Sequence, residues 1–206
     1  MFLTRHFVYL HVPRTGGNFV LRLLEDHAPA DWQMQRCADH ATVADIPASH
    51  AALPKFAFVR NPYDWYVSWF HFQQRTRDPF FLEVSEQGTL PFAATMRRTL
   101  QSREALALGE GPYTQTIRSM LGHDVAGVRI GKQERLREDL LRILAAIVPV
   151  PPELEAAIRA LPAQNTSAHD HWSHYYDPEL RAIIAAKDRE AFQFFGYGWE
   201  EPPRGA

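Results

Sequence analysis

Phe7-Val-Tyr-Leu-His-Val-Pro-Arg-Thr-Gly-Gly-Asn-Phe-Val20 is the stretch that decides the fold. Residues 7–12 are apolar and β-branched or aromatic, which predicts a buried strand. Gly16 and Gly17 predict a tight turn. From Asn18 to about His27, Phe19, Val20, Leu23 and Leu24 fall at helical spacing, and Pro29 ends the helix. A strand that turns directly into a helix aims backbone N–H groups and the positive end of the helix dipole at one point. That point suits a phosphate or a sulfate. Arg14 and Thr15 lie inside the turn and bring a cation and a hydroxyl to the same anion.

The pattern repeats downstream. Lys55-Phe-Ala-Phe-Val-Arg60 predicts a second clear strand, and Asn61-Pro62 opens a helix to about Arg77 with proline pre-set at its first position. Tyr66, Trp69, Phe70 and Gln73 share one side of it. Between these units, residues 33–38 predict a weak short strand, and Thr42–Ile46 a helical turn closed by Pro47. Residues 78–124 predict a helical insertion with segments near 91–99, 101–108 and 113–121. Then follow a strand at Val125–Gly131, helices at Gln133–Val148 and Glu153–Leu161, and a polar loop over Pro162–Asp177. A last helix begins at Asp177-Pro178, with Asp177 as N-cap and Leu180, Ile183, Ile184, Ala191 and Phe195 inward. Apolar strands alternating with helices predict one α/β domain over residues 1–206, with a short central parallel sheet flanked by helices. In such sheets ligands sit at the carboxyl ends of the strands. The turns after Val12 and Val59 both lie on that edge.

Composition narrows the function. The chain has 206 residues, 46% of them hydrophobic, enough for one full core. A net charge of −2 disfavours a nucleic-acid-binding surface. The basic residues are mostly arginine, with lysine only at positions 55, 132 and 187, and arginine suits bidentate binding of oxyanions. The single cysteine, Cys37, excludes an internal disulfide and fits a reducing compartment. No apolar run is long enough for a bilayer span and none resembles a signal peptide, so a cytoplasmic protein without a membrane partner is expected.

Pro13-Arg-Thr-Gly-Gly-Asn18 lacks the GxxxxGK[ST] spacing of a Walker loop. It reads either as a shorter phosphate loop or as a turn whose glycines serve sterics alone. In the second motif, Arg60 ends a strand and Ser68 stands two turns into the next helix. They could converge on one phosphate, the guanidinium bidentate and the hydroxyl adding one bond. Otherwise Arg60 pairs with a carboxylate and Ser68 is a small packing residue.

As an ordered pair, these motifs resemble the two nucleotide-binding signatures of the sulfotransferases that use 3′-phosphoadenosine 5′-phosphosulfate (PAPS), closest to the type 2, carbohydrate branch. The similarity continues through Arg129-Ile-Gly-Lys-Gln-Glu-Arg-Leu-Arg-Glu-Asp-Leu140, Asn165-Thr-Ser167, Tyr175-Tyr-Asp-Pro-Glu-Leu180, Asp188 and Phe194-Phe-Gly-Tyr197. Residues 78–124 are the main part outside it. The resemblance implies a P-loop-like three-layer α/β domain that moves a sulfuryl group from PAPS to a hydroxyl of a sugar or small molecule, without a metal. It implies that Arg14, Thr15, Gly16, Gly17 and Asn18 hold the 5′-phosphosulfate, and Arg60 and Ser68 the 3′-phosphate. Asn165 and Ser167 could touch the nucleotide as well. Two departures stand out. Arg14 replaces the usual lysine, and Asn18-Phe19 replaces a Thr-Ser pair, so one hydroxyl is lost and backbone N–H groups must carry more of the binding.

Transfer to a hydroxyl needs a proton acceptor. Relatives of this type often place a histidine after the second short strand, where His40 stands, so His40 is the expected base, with Glu25 and Asp26 in reserve. Asp39 adjoins His40, but neighbours on an extended segment point apart. His169-Asp-His171-Trp-Ser-His174 could hold a metal, but reads better as a polar loop over the site, from which His171 or His174 could touch the acceptor. Trp65, Trp69, Phe70, Phe72, Phe80 and Phe81 read as core rather than as a stacking platform, and Cys37 as a small buried residue. Two other classes stay open: a P-loop kinase acting on a small metabolite, and a non-catalytic nucleotide-binding protein.

Overall fold

The computed structural model describes residues 1–102, 109–162 and 170–199. In chain order the strands and helices are β1 (Phe2–Leu3), β2 (Val8–Leu10), α1 (Gly17–His27), β3 (Gln35–Arg36), β4 (Lys55–Val59), α2 (Pro62–Thr76), α3 (Pro79–Val84), α4 (Phe92–Leu100), α5 (Pro112–Leu121), β5 (Val128–Lys132), α6 (Leu136–Ala145), α7 (Pro152–Ala160), α8 (Pro178–Lys187) and α9 (Arg189–Phe195). The fold is α/β, and the five strands among the described residues form one sheet in the order β3-β1-β2-β4-β5. No helix among the described residues is long and apolar enough to cross a membrane.

The sheet is mixed, which corrects the expectation of a parallel one. β2, β4 and β5 are parallel, in register Leu10↔Ala57 and Val59↔Lys132, but β1 runs antiparallel to both β2 and β3. The reason is the length of the connection. The turn from Leu3 to Val8 is far too short for a parallel crossover and can only make a hairpin. Thr4 closes that turn, its Oγ1 accepting from Phe7 N at 2.8 Å and His6 N at 3.1 Å.

The chain forms two compact units. The first comprises Met1–Arg60 and Thr116–Thr166, the second Asn61–Gln115 and Ser167–Ala206. In the first, Phe7, Tyr9, Phe56 and Phe58 of the sheet region pack with Phe19, Val20, Leu23 and Leu24 of α1, Leu140, Ile143 and Leu144 of α6, and Leu154 and Ile158 of α7. Val8, Leu10, Ala57 and Val59, alternate with these along the strands, are equally sealed from solvent, so both sets of strand side chains are buried. Gly131 lies directly opposite Phe58 in the sheet, where a Cβ would meet the ring at 2.4 Å. Arg137 lies over the Phe19 ring at 4.9 Å and donates to the carbonyl oxygens of Ile158 and Leu161, satisfying acceptors at the end of α7.

In the second unit, Asn61, Asp78 and Asp177 cap α2, α3 and α8 by accepting from Tyr63 N, Phe81 N and Leu180 N, each followed by proline at the first helical position. Tyr63 is the hub of an aromatic cluster with Trp172, Tyr176, Phe192 and Trp199.

Other expectations shift in detail. The stretch 125–131 splits into a 3₁₀ turn at Val125–Gly127, capped by Asp124, and a strand that starts at Val128. Helix 133–148 starts with a 3₁₀ turn and is α-helical only over Leu136–Ala145. The last helix breaks at Asp188 into α8 and α9. Residues 78–124 are helical in α3, α4 and α5, and the segment expected at 101–108 lies largely outside the described residues.

Candidate functional site

The loop between β2 and α1 is tight. Arg14 has φ 66° and Gly16 φ 82°, both left-handed. For arginine that conformation costs about 1–2 kcal/mol, while glycine takes it freely. Gly16 is the N-cap of α1 and provides no side-chain acceptor, so the first amides of the helix are not capped by it. Thr15 is fully buried, and its Oγ1 donates to the Val12 carbonyl at 2.8 Å. Its proton is therefore used inside the turn rather than pointed at an anion. Asn18, on the first turn of the helix, is exposed.

Arg60 follows β4, the parallel neighbour of β2, and its Nη1 donates to the Arg14 carbonyl at 3.4 Å. The two motifs thus meet at one edge of the sheet. The side chains of Gln133 and Leu136, which follow β5, lie 3.3–3.5 Å from the position a Cβ on Gly16 would occupy and cover that side of the loop. Lys132 ends β5 opposite Val59, and its amide donates to the buried carboxylate of Asp139 at 2.7 Å. Ser68 is buried on the second turn of α2, in the second unit.

A residue outside the sequence expectation occupies the centre of the loop. His11, two residues before Pro13, is only 8% exposed. Its Cδ2–Nε2 edge rests on Gly17, where a Cβ would fall 1.9 Å from Cδ2 and 2.2 Å from Nε2. Gly17 is thus a glycine because the imidazole fills the place of its side chain. The ring stacks with Tyr9 and with His40, 6.4 Å from each. His40, itself exposed, is brought beside the loop by this stack. The signal for His11 is its place directly after a strand that leads into a glycine turn, two residues on from Tyr9.

Burial, then the positive charges of the Met1 amino group, His40 and Arg36, push the His11 pKa down from 6.5 to about 4, against the pull of Asp39. With the folded value below the unfolded one, the neutral ring favours the fold. Its contribution is complete above pH 6.5 and is lost as pH falls through 6.5 towards 4. Acidification across that window is expected to remove about 3 kcal/mol of stability through this group. Urea unfolding at several pH values in wild type and His11→Phe measures it, and an equal slope in both would refute it.

The remaining candidates scatter. Arg36 engages Asp39 at 2.8 Å and Glu25 at 2.7 Å, and Arg22 engages Asp26 at 3.4 Å, so these carboxylates belong to surface ion pairs. Asn165, Ser167 and His169 lie outside the described residues. His171 caps the turn Trp172–Tyr175, its Nδ1 2.9 Å from Ser173 Oγ, and no group of potential metal ligands forms among the described residues. Trp65, Phe70 and Phe81 are core, as expected, whereas Phe80 is 36% exposed. Cys37 is half-buried rather than buried. In the second unit, a cavity of about 430 Å³ is lined by residues that include Tyr63, Arg181, Arg189, Phe192 and Trp199, and by none of the expected catalytic or nucleotide-binding residues.

No protein family, no curated protein and no solved structure matches this chain.

Proposed function

We propose that the chain is a PAPS-dependent sulfotransferase with a P-loop-like fold, acting on a hydroxyl of a sugar or small molecule. The observation that supports this reading is the bond from Arg60 to the Arg14 carbonyl, which joins the two motifs at the carboxyl ends of adjacent parallel strands. Two oxyanion-binding elements side by side suit a nucleotide with separate 5′ and 3′ charges better than a linear triphosphate.

On this reading the acceptor oxygen attacks sulfur in line and forms the new S–O bond, while the bond from sulfur to the bridging phosphate oxygen breaks. His40 accepts the acceptor proton. Arg14 and the amides at the start of α1 stabilise the charge that grows on the leaving phosphate oxygen. Catalysis rests on positioning and preorganised electrostatics, as in phosphoryl transfer.

The test is a binding comparison. The protein is expected to prefer adenosine 3′,5′-bisphosphate over ADP by calorimetry. Arg60→Ala is expected to weaken the bisphosphate by ten- to a hundredfold, the loss of a charge-assisted contact, while ADP changes little. Equal affinity of the wild type for both nucleotides would overturn the proposal.

A further inference from the structure

We propose that His11 is a further anion-binding residue of the loop: as a neutral imidazole with its proton on Nε2, it donates one hydrogen bond to the oxyanion held at the N-terminus of α1. This rests on the reading of the loop as the 5′-phosphosulfate cradle.

Three observations meet at this ring. The first is contact. The Cδ2–Nε2 edge lies against Gly17, the first residue of an eleven-residue helix, and so stands at the loop's entry into that helix. The second is an unpartnered atom. Nδ1 is sealed from solvent and has no hydrogen-bond partner among the described residues. A buried N–H without an acceptor is more costly than a buried lone pair in a ring whose other nitrogen can carry the proton, so the proton belongs on Nε2. The third is charge. The groups around the ring are the Met1 amino group, Arg36 and His40, opposed by Asp39, and together with burial they hold the imidazole uncharged at neutral pH. Tyr9, stacked with the ring, is itself fully buried.

A neutral donor has a specific use here. The loop already contains Arg14, with Arg60 bonded to its backbone. A further full charge would hold the product more tightly than a neutral hydrogen bond does, so a neutral donor adds geometry at a smaller cost to product release. It also compensates the hydroxyl missing at Phe19.

Two variants separate the donor from the ring. Gln places its amide nitrogen near the Nε2 position, and Phe keeps a ring but has no donor. Titration with adenosine 3′,5′-bisphosphate and, separately, with inorganic sulfate is followed through the Gly17 amide by NMR. His11→Phe is expected to weaken both ligands about tenfold, and His11→Gln to keep most of the affinity. Binding of 3′-AMP, which lacks the 5′ group, should not change in either variant. In the wild type, ring ¹⁵N shifts are expected to report the Nε2–H tautomer. Unchanged affinity for the bisphosphate in His11→Phe, or an Nδ1–H or doubly protonated ring in the wild type, would overturn the inference and leave the sulfotransferase reading standing. Sulfate binding that needs the His11 donor, in a protein with no preference for the bisphosphate over ADP, would uphold the inference and overturn that reading instead.

Discussion

Asp188→Ala is expected to destabilise the protein by about 4 kcal/mol, because each buried donor left without its acceptor costs about 1–3 kcal/mol. Asp188 is fully buried in the second unit. Its carboxylate accepts from Tyr66 Oη at 2.6 Å and from both the amide and the hydroxyl of Thr114 at 2.8 Å. Alanine leaves three buried donors without an acceptor and opens a void beside Gly111, which has no room for a Cβ because the Asp188 carboxyl lies 2.3 Å from where one would sit. Burial raises the Asp188 pKa despite these donors, so the site opposes the charge itself. Asp188→Asn keeps one acceptor oxygen without that charge and is expected to cost less than half as much. Urea unfolding of both variants measures the difference. A loss below about 1 kcal/mol for the alanine variant would show that the network is not a keystone of this unit.

If the chain is the sulfotransferase proposed above, Gly17→Ala is expected to reduce turnover about a hundredfold, the effect of displacing reacting groups by about 1 Å. The added methyl would stand 1.9 Å from His11 Cδ2 and 2.9 Å from Cγ, so it meets the body of the ring. The ring is stacked and buried and has little freedom to swing away. Overpacking of this kind costs about 1–3 kcal/mol, partly offset by the better helix propensity of alanine, about 1 kcal/mol. The stability cost is therefore modest and the functional cost large. The double variant His11→Ala/Gly17→Ala decides whether the contact is the cause. Removing the ring makes room for the methyl, so the two stability changes are expected to be coupled by more than 0.5 kcal/mol. Strict additivity would show that Gly17 serves some other purpose.

Much of the local structure was legible because it is governed by short-range chemistry. Asn61-Pro62 and Asp177-Pro178 announce α2 and α8 through an Asx cap and a proline already at helical φ. Asp78-Pro79 carries the same signal for α3, but the six-residue helix it opens is too short for an apolar period to show. β1 escaped notice because two residues carry no periodicity. The break at Asp188 was hidden because Leu180, Ile184, Ala191 and Phe195 keep one apolar rhythm across it. Nothing near Asp188 in sequence reveals that Tyr66 and Thr114 donate to it.

The candidate site divides along the same line. The strand, the glycine turn and the helix start of residues 7–20 are written locally, in apolar runs and in the conformational freedom of Gly16 at φ 82°. So are the second strand and its arginine. What only the tertiary structure decided is which groups face one another. Parallel pairing of β2 with β4 brings Arg60 to the Arg14 carbonyl across 46 residues of chain. Packing sets His11 on Gly17 and beside His40. Sequence determines the elements because helix and strand formation depend on neighbours a few residues away. It does not display the partners, because burial and side-chain contact depend on which strands pair, and that is settled by the whole core at once.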